Sequence, residues 1–274
     1  MIDVIVPVYR GLGPTQRCLE SVIAASGSTL HELIVIDDES PEPQITQWLS
    51  TFAREHRVAL RRHEKNRGFV ATVNEGMALH PTRDVVLLNA DTEVPRGWLD
   101  RLAAHARGAN VGTVTPFSNN ATICSYPRFC ENNELPAGMD THSLDAAFHA
   151  ANAGRSVDIL TAVGFCMYIR RECLDRVGLF DFERYGQGYG EEVDFCMRAS
   201  RAGFRHLLAG DLFVYHQGEV SFGNTGVERR AQAQRTVDTL YPEFQPTVRA
   251  FVQADPPRPL REAVDRQRGV SSSR

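Results

Sequence analysis

Four runs in this chain carry side chains able to do chemistry. Asn89-Ala90-Asp91-Thr92-Glu93 sets an amide, a hydroxyl and two carboxylates on one short turn. Hard oxygen ligands of this kind suit Mg²⁺ or Mn²⁺, which keeps some waters and takes further ligands from substrate phosphates. Asp37-Asp38 offers carboxylates that can accept a hydrogen bond from a base imide or a ribose hydroxyl. Glu191-Glu192, behind the glycine-rich run Tyr185-Gly186-Gln187-Gly188-Tyr189-Gly190, is placed to take a proton from an incoming hydroxyl. His216 can complete a cation site begun by Asp91, imidazole being more acceptable to Mn²⁺ than to Mg²⁺. Each run alone has a plainer reading: a polar turn or helix cap for Asp91, an Asx turn for Asp37-Asp38, acidic capping for the glutamates, a hydrogen-bonded histidine for His216. The elements around them must decide.

The Asn89 turn follows Val85-Val86-Leu87-Leu88, whose unbroken apolar character is that of a strand buried on both faces. Asp3 to Tyr9, stopping at Pro7, and Glu32 to Ile36 read the same way, and Val58 to Leu60 is a shorter strand. Between them lie helical patterns: one capped by Thr15 with Cys18, Leu19, Val22 and Ile23 at helical spacing, then Ile45 to Glu55 and Val70 to Leu79. Strand and helix alternate as in a parallel sheet with crossover helices, which delivers the polar strand ends to one carboxyl edge. Asn66-Arg67-Gly68, with Asn74 and Gly76 beyond it, puts amides and bare backbone near a helix start, which favours phosphate. Further on, helices are expected at Gly97 to Arg107, Ser143 to Asn152, from Glu191 to Gly203 and at Glu228 to Leu240. Val111 to Pro116 reads as a strand, Ile159 to Arg170 as one long apolar strand, and His206 to Tyr215 as a last strand pair. Ser118 to Asn133 reads as an irregular polar loop. Because neighbours on a helix point about 100° apart, one of Glu191 and Glu192 is expected to face the site. The glycines of 183–190 and 217–226 suit flaps that close over a substrate.

At 274 residues and a formal charge of −4, the chain has room for an ample core and no bias towards nucleic acid. It has no run of about eighteen apolar residues, and Met1 to Val6 is not a secretory leader, so a cytoplasmic protein is expected. Six scattered cysteines without a C-x-x-C pair argue for reduced thiols rather than a disulfide frame or zinc site. From Asp255 the chain is rich in proline, arginine and serine with no apolar period, so 255–274 is expected to be a disordered tail or linker.

Taken in order, Pro7-Val8-Tyr9, Ile34-Val35-Ile36-Asp37-Asp38-Glu39-Ser40, Asn66-Arg67-Gly68-Phe69, Leu88-Asn89-Ala90-Asp91-Thr92-Glu93-Val94, Gly190-Glu191-Glu192-Val193-Asp194-Phe195-Cys196-Met197-Arg198 and His216 resemble the family 2 glycosyltransferases of the GT-A fold. The likeness covers about residues 2–245 and is to bacterial members that build O-antigen, capsule or other surface polysaccharide, rhamnosyltransferase-like ones included. It implies an α/β GT-A fold: a Rossmann-like, mostly parallel central sheet flanked by helices, with a smaller acceptor-side part in the second half. Residues 1–254 would form one domain, 1–115 binding the nucleotide-diphosphate sugar and 116–254 holding the acceptor and the catalytic groups. The donor would be a dTDP- or UDP-sugar, with Asp38 on the base and Pro7, Tyr9 and Arg67 lining the nucleotide pocket. Asn89-Ala90-Asp91 would stand for the D-x-D motif, Asp91 holding Mn²⁺ or Mg²⁺ on the diphosphate with His216 as a further ligand. Glu192 would be the base, with Glu191 as the alternative, and the acceptor hydroxyl of a saccharide or lipid-linked saccharide would attack with inversion. A lipid-linked acceptor would bring the protein to the inner membrane surface as a peripheral partner.

Two positions depart from the family's pattern. Asn89 replaces the first Asp of D-x-D and is a neutral, weaker ligand, and Glu191-Glu192 replaces Glu-Asp, moving a carboxylate by roughly an ångström, to which positioned catalysis is sensitive. A sugar nucleotidyltransferase would also be α/β and metal-bound, but would open with a longer basic loop than Arg10-Gly11-Leu12-Gly13-Pro14. A non-catalytic carbohydrate-binding domain of a larger polymerising enzyme is the other alternative.

Overall fold

Apolar, largely β-branched segments form the early strands, which are covered on both faces by amphipathic helices. The computed structural model describes residues 1–25, 27–218 and 226–270. Strands β1 (Ile2–Val8), β2 (His31–Asp37), β3 (Ala59–Arg62) and β4 (Asp84–Leu88) alternate with helices α1 (Leu12–Ala24), α2 (Pro43–His56) and α3 (Phe69–Ala78). The chain continues through β5 (Thr92–Glu93), α4 (Trp98–Ala106), β6 (Val111–Phe117), α5 (Thr141–Asn152), β7 (Ser156–Ile159), β8 (Cys166–Ile169), α6 (Arg171–Val177), α7 (Phe182–Tyr185), α8 (Glu191–Arg201), β9 (Arg205–Phe213) and β10 (Tyr215–His216). It closes with α9 (Gly226–Leu240), α10 (Phe244–Ala254) and α11 (Arg258–Gln267).

Eight strands form one sheet in the order β3-β2-β1-β4-β8-β6-β9-β7. The pairs among β1 to β4 are all parallel, as the strand-helix alternation requires. The second half is mixed: β8 runs antiparallel between β4 and β6, β9 is parallel to β6, and β7 is antiparallel to β9. The period-2 alternation of β1 splits the core, Val4, Val6 and Val8 packing with α1, α2 and α4 on one face. Ile5 packs on the other face with Val70 and Met77 of α3 and Phe195 and Ala199 of α8.

Several expectations are corrected. β1 runs through Pro7 to Val8, still in register with β2. Thr15 is not a cap: α1 starts earlier, behind Gly11 in the left-handed region, and Thr15 is buried inside it. The apolar run 159–170 is two strands, β7 and β8, with 160–165 crossing between them. That break matters, because it brings Gly164 and Phe165 to the carboxyl edge of β4, where the Phe165 carbonyl accepts the Asn89 N–H at 2.8 Å. The tail is also corrected over 255–270, residues 271–274 lying outside the described residues. α11 buries Leu260 and Val264, one turn apart, and packs on α5, the Leu260 carbonyl accepting from Asn152 Nδ2 at 3.1 Å. Two apolar residues one turn apart are too few to show as a period, and prolines at the first turn do not stop a helix. Leu260→Ala is expected to lower unfolding free energy by about 2–4 kcal/mol in urea titration. A change within about 0.5 kcal/mol, the size found at indifferent surface sites, would remove α11 from the core.

Candidate active site

The carboxyl ends of β1, β2 and β4 open into a cavity of about 540 Å³, within the range of small-molecule sites. Pro7 borders it at the end of β1 and Tyr9 just after, Asp38 after β2, and Asn89, Ala90 and Asp91 after β4. Glu191 and Glu192 of α8 and His216 of β10 border it from the other half. Of the residues to which the family resemblance assigned a role, Arg67 alone lies off this lining. Its guanidinium reaches Glu75 on α3 at 2.6 Å, and its contribution is a backbone N–H to Asp38.

Asp37 and Asp38 divide their work. Asp37 is fully buried and accepts from Ser40 N–H, Thr46 Oγ1 and Arg62 Nε at 2.8, 3.1 and 3.0 Å, the local-turn role rather than a ligand role. Asp38 borders the cavity, but its carboxylate is already engaged. Oδ1 accepts from His63 Nδ1 at 2.6 Å and Arg67 N–H at 2.8 Å, and Oδ2 from Asn66 Nδ2 at 3.1 Å and Gly68 N–H at 2.8 Å. Asp38 therefore holds the 66–68 turn. Gly68 sits at φ 82° with a Cβ position only 2.8 Å from Gln187 Cα, so glycine alone lets this turn touch the 186–190 loop. The second amide-glycine pair has no phosphate role: Asn74 clasps the backbone of Phe180 through both amide atoms, and Gly76 packs on Ile5.

Asp91 and His216 meet because β10 pairs antiparallel with β5, His216 opposite Thr92. His216 Nε2 lies 3.5 Å from Asp91 Oδ1 and 3.5 Å from the Asn89 amide. His216 Nδ1 donates to the Asn120 carbonyl at 2.7 Å, so in the neutral ring the Nε2 lone pair is the one turned towards Asp91. Asp91 Oδ2 accepts the Gly218 N–H at 2.9 Å, and the Phe165 ring stacks on the imidazole at 5.1 Å. Burial pulls the His216 pKa down, but the hydrogen bond and charge of Asp91 outweigh it and the net direction is up. This donor set fits a divalent cation: a carboxylate oxygen and an imidazole nitrogen converge, roughly the 3 Å separation of adjacent ligands at about 2.1 Å from one ion. Asp3, Glu32 and His80 also bring ligand atoms together, but at the amino ends of β1 and β2, on the opposite edge. There Arg83 already supplies the cation, at 2.9 Å from Asp3 and 2.6 Å from Glu32.

The two glutamates start α8 behind Gly190, whose φ of 85° and 2.9 Å Cβ approach to Tyr185 again demand glycine. The expectation that one of them faces the site is corrected, since the cavity wraps the first turn and both border it. Glu191 is buried and Glu192 partly exposed, and the Oε2 of each lacks a hydrogen-bond partner. Burial first, and then the charge of Glu192, push the Glu191 pKa well above the usual carboxylate range. Glu191 thus tends to keep a proton. Asp194 has no such freedom, being held by Tyr241 Oη at 2.6 Å and Arg198 Nε at 2.8 Å.

Asn120, Gln187, Phe165 and Gly164 line the cavity without having been singled out by type or spacing. Asn119-Asn120 lay in plain view as a polar pair, but nothing local says that its partner is His216. Arg229 and Arg230 of α9 also border the cavity, Arg230 over the Tyr189 ring at 4.9 Å. Of the proposed flaps, 219–225 lies outside the described residues.

The model of a family described as Glycosyl transferase family 2 matches residues 3–178. Among curated relatives, glycosyltransferase AglE of Haloferax volcanii is 22% identical over 218 residues, 78% of this chain and 66% of the relative. The pre-mycofactocin glycosyltransferase of Mycobacterium tuberculosis is 25% identical over 205 residues, 74% of this chain and 40% of the relative. An uncharacterized protein, y4gI, of Sinorhizobium fredii is 25% identical over 253 residues, 88% of this chain and 27% of the relative. The chain thus spans 27% to 66% of the length of these relatives. Among solved structures, that of GalNAc-T7 with UDP, GalNAc and Mn²⁺ is similar at a TM-score of 0.60 and 17% identity, covering 79% of this chain and 43% of that one. That likeness shows the fold, GT-A. With the family's model covering well over half of its length, the chain belongs to glycosyl transferase family 2.

Proposed function

We propose that the chain is an inverting, metal-assisted glycosyltransferase that moves a sugar from a UDP- or dTDP-sugar to a hydroxyl of a saccharide or lipid-linked saccharide. The observation that carries this reading is the Asp91–His216 pair bordering the same cavity as Glu192. The solved GalNAc-T7 complex, with UDP, GalNAc and Mn²⁺, supports a nucleotide-sugar site and a divalent ion by analogy of fold. On the same reading, carried over from the sequence resemblance, the product is a bacterial surface polysaccharide made at the cytoplasmic face of the membrane. Among the described residues no helix is long and apolar enough to cross a membrane. Because the chain spans only part of its relatives, the transferase unit is read as able to work inside a longer protein.

Pro7, Tyr9 and the turn held by Asp38 cradle the nucleoside, with Asn66 and Gly68 at its wall. Asp91 and His216, with Asn89 beside them, hold Mn²⁺ or Mg²⁺, which when bound offsets charge on the departing diphosphate. Arg229, and Arg230 beside it, add positive charge at the same mouth. The Glu192 carboxylate takes the proton of the acceptor hydroxyl. The oxygen attacks the anomeric carbon opposite the diphosphate, the carbon–oxygen bond to phosphate breaks, and the configuration inverts. Glu191, holding its own proton, keeps a second negative charge away from the incoming hydroxyl.

Asp91→Ala is expected to abolish the Mn²⁺-dependent part of UDP binding in calorimetric titration, and unchanged affinity would refute the cation role. Glu192→Gln is expected to leave donor binding intact and lower kcat by about 10²–10⁴-fold, the size of a lost general base. Turnover at the parent rate would move the base to Glu191. The Glu191 pKa is raised in the fold, so its favourable contribution is complete below the ordinary Glu value and is lost as pH rises through the folded value. Glu191→Gln is therefore expected to raise Tm at pH 8, by about 2–4 °C for each kcal/mol relieved, and to leave it nearly unchanged at pH 4. An equal shift at both pH values would show that Glu191 is not held protonated.

A further inference from the structure

We propose that Asn119 is a positioning residue for His216, fixing the imidazole against Asp91 without touching substrate. The inference rests on the reading of His216 as a cation ligand. β10 is two residues long and pairs with β5 on one side, through Gln217 N–H to the Asp91 carbonyl at 3.0 Å. Two residues are too few for a strand to hold itself in place. On its other side the backbone of His216 meets no strand. Asn119 takes that place with its side chain: Oδ1 accepts the His216 N–H at 2.9 Å and Nδ2 donates to the His216 carbonyl at 3.0 Å. The next residue, Asn120, then accepts the imidazole Nδ1–H. His216 is thus gripped at both backbone polar atoms and at one ring nitrogen by two consecutive residues.

The clamp is itself rigid. Asn119 is buried, and Nδ2 also donates to the Asn133 carbonyl at 3.1 Å while Oδ1 accepts from Ser118 Oγ at 3.3 Å. Asn133 returns the contact, its N–H and Nδ2 both donating to the Asn119 carbonyl at 3.0 and 3.2 Å. Both amide hydrogens face carbonyls, so the flipped amide would set oxygen against two oxygens and is excluded. A carboxylate of the same shape meets the same repulsion. An amide is the group that satisfies the donor and acceptor of one backbone residue at once. Partners that orient a ligating histidine typically change metal affinity by about 10–100-fold when removed.

The test is a double-mutant cycle read by Mn²⁺ binding, with free Mn²⁺ measured by electron paramagnetic resonance in the presence of UDP. Asn119→Ala and His216→Ala are each expected to weaken Mn²⁺ binding about tenfold or more. The double variant is expected to bind no more weakly than His216→Ala, and UDP binding in EDTA is expected to stay unchanged in all three. A merely structural role would add its effect in both backgrounds. As a second readout, the ¹⁵N signals of the His216 ring are expected to report a proton on Nδ1 in the parent and averaged tautomers in Asn119→Ala. If Asn119→Ala does not fold, Asn119→Ser, which can keep one of the two backbone contacts, is expected to show an intermediate loss. Unchanged Mn²⁺ affinity in the Asn119 variants, or a loss that persists without His216, overturns the positioning role and leaves the ligand reading standing. Unchanged affinity in His216→Ala overturns the ligand reading, and this inference with it.

Discussion

A two-residue antiparallel contact, Thr92 opposite His216, holds the site together. Asp91 and His216 come from opposite halves of the chain, and only this short ribbon brings their side chains to 3.5 Å. Neither half could present the pair alone. The ribbon is too short to be stable by itself, so it is supported from outside: Gly218 N–H on the Asp91 carboxylate, the Phe165 ring on the imidazole, and the amides of Asn119 and Asn120 behind. A carboxylate and an imidazole held at that distance with most of their surface buried interact more strongly than they would in water. This is why so much of the polar lining serves to place two groups.

The donor side follows the same logic with a different hub. The Asp38 carboxylate gathers four donors and fixes the 66–68 turn by charge-assisted hydrogen bonds, which are stronger than neutral ones. Behind it, His63 bridges Asp38 to Glu75, and Glu75 also receives Arg61 and Arg67. The turn then meets the 186–190 loop through Gly68 and Gln187. Two walls of the cavity, one from each half of the chain, therefore touch.

Acids in this fold separate by how well they are satisfied. Asp37, Asp38 and Asp194 accept full sets of hydrogen bonds and serve the architecture. The glutamates at the start of α8 each leave one oxygen without a partner beside the cavity. A buried polar atom left open is unfavourable for stability, and here that openness coincides with the place where a substrate hydroxyl would have to give up a proton. Burial raises the pKa of Glu191, the member of the pair turned into the core.

The ordered motifs by themselves pointed to the family, and apolar period gave the parallel half of the sheet, because buried strands and amphipathic helices are written locally in residue type. Pro7, Tyr9, Asp38, Asn89, Ala90, Asp91, Glu191, Glu192 and His216 were all legible as strand-end or helix-start groups, and all border one cavity. Arg67 misled because the direction of a long side chain is set by its neighbour Glu75, not by its own position. The split of 159–170, the mixed order of the second half and the docking of α11 were decided by pairing partners far along the chain, for which a linear pattern has no signal. The same holds for Asn119: an asparagine in a polar loop reads as loop until the fold sets it against the backbone N–H and carbonyl of His216.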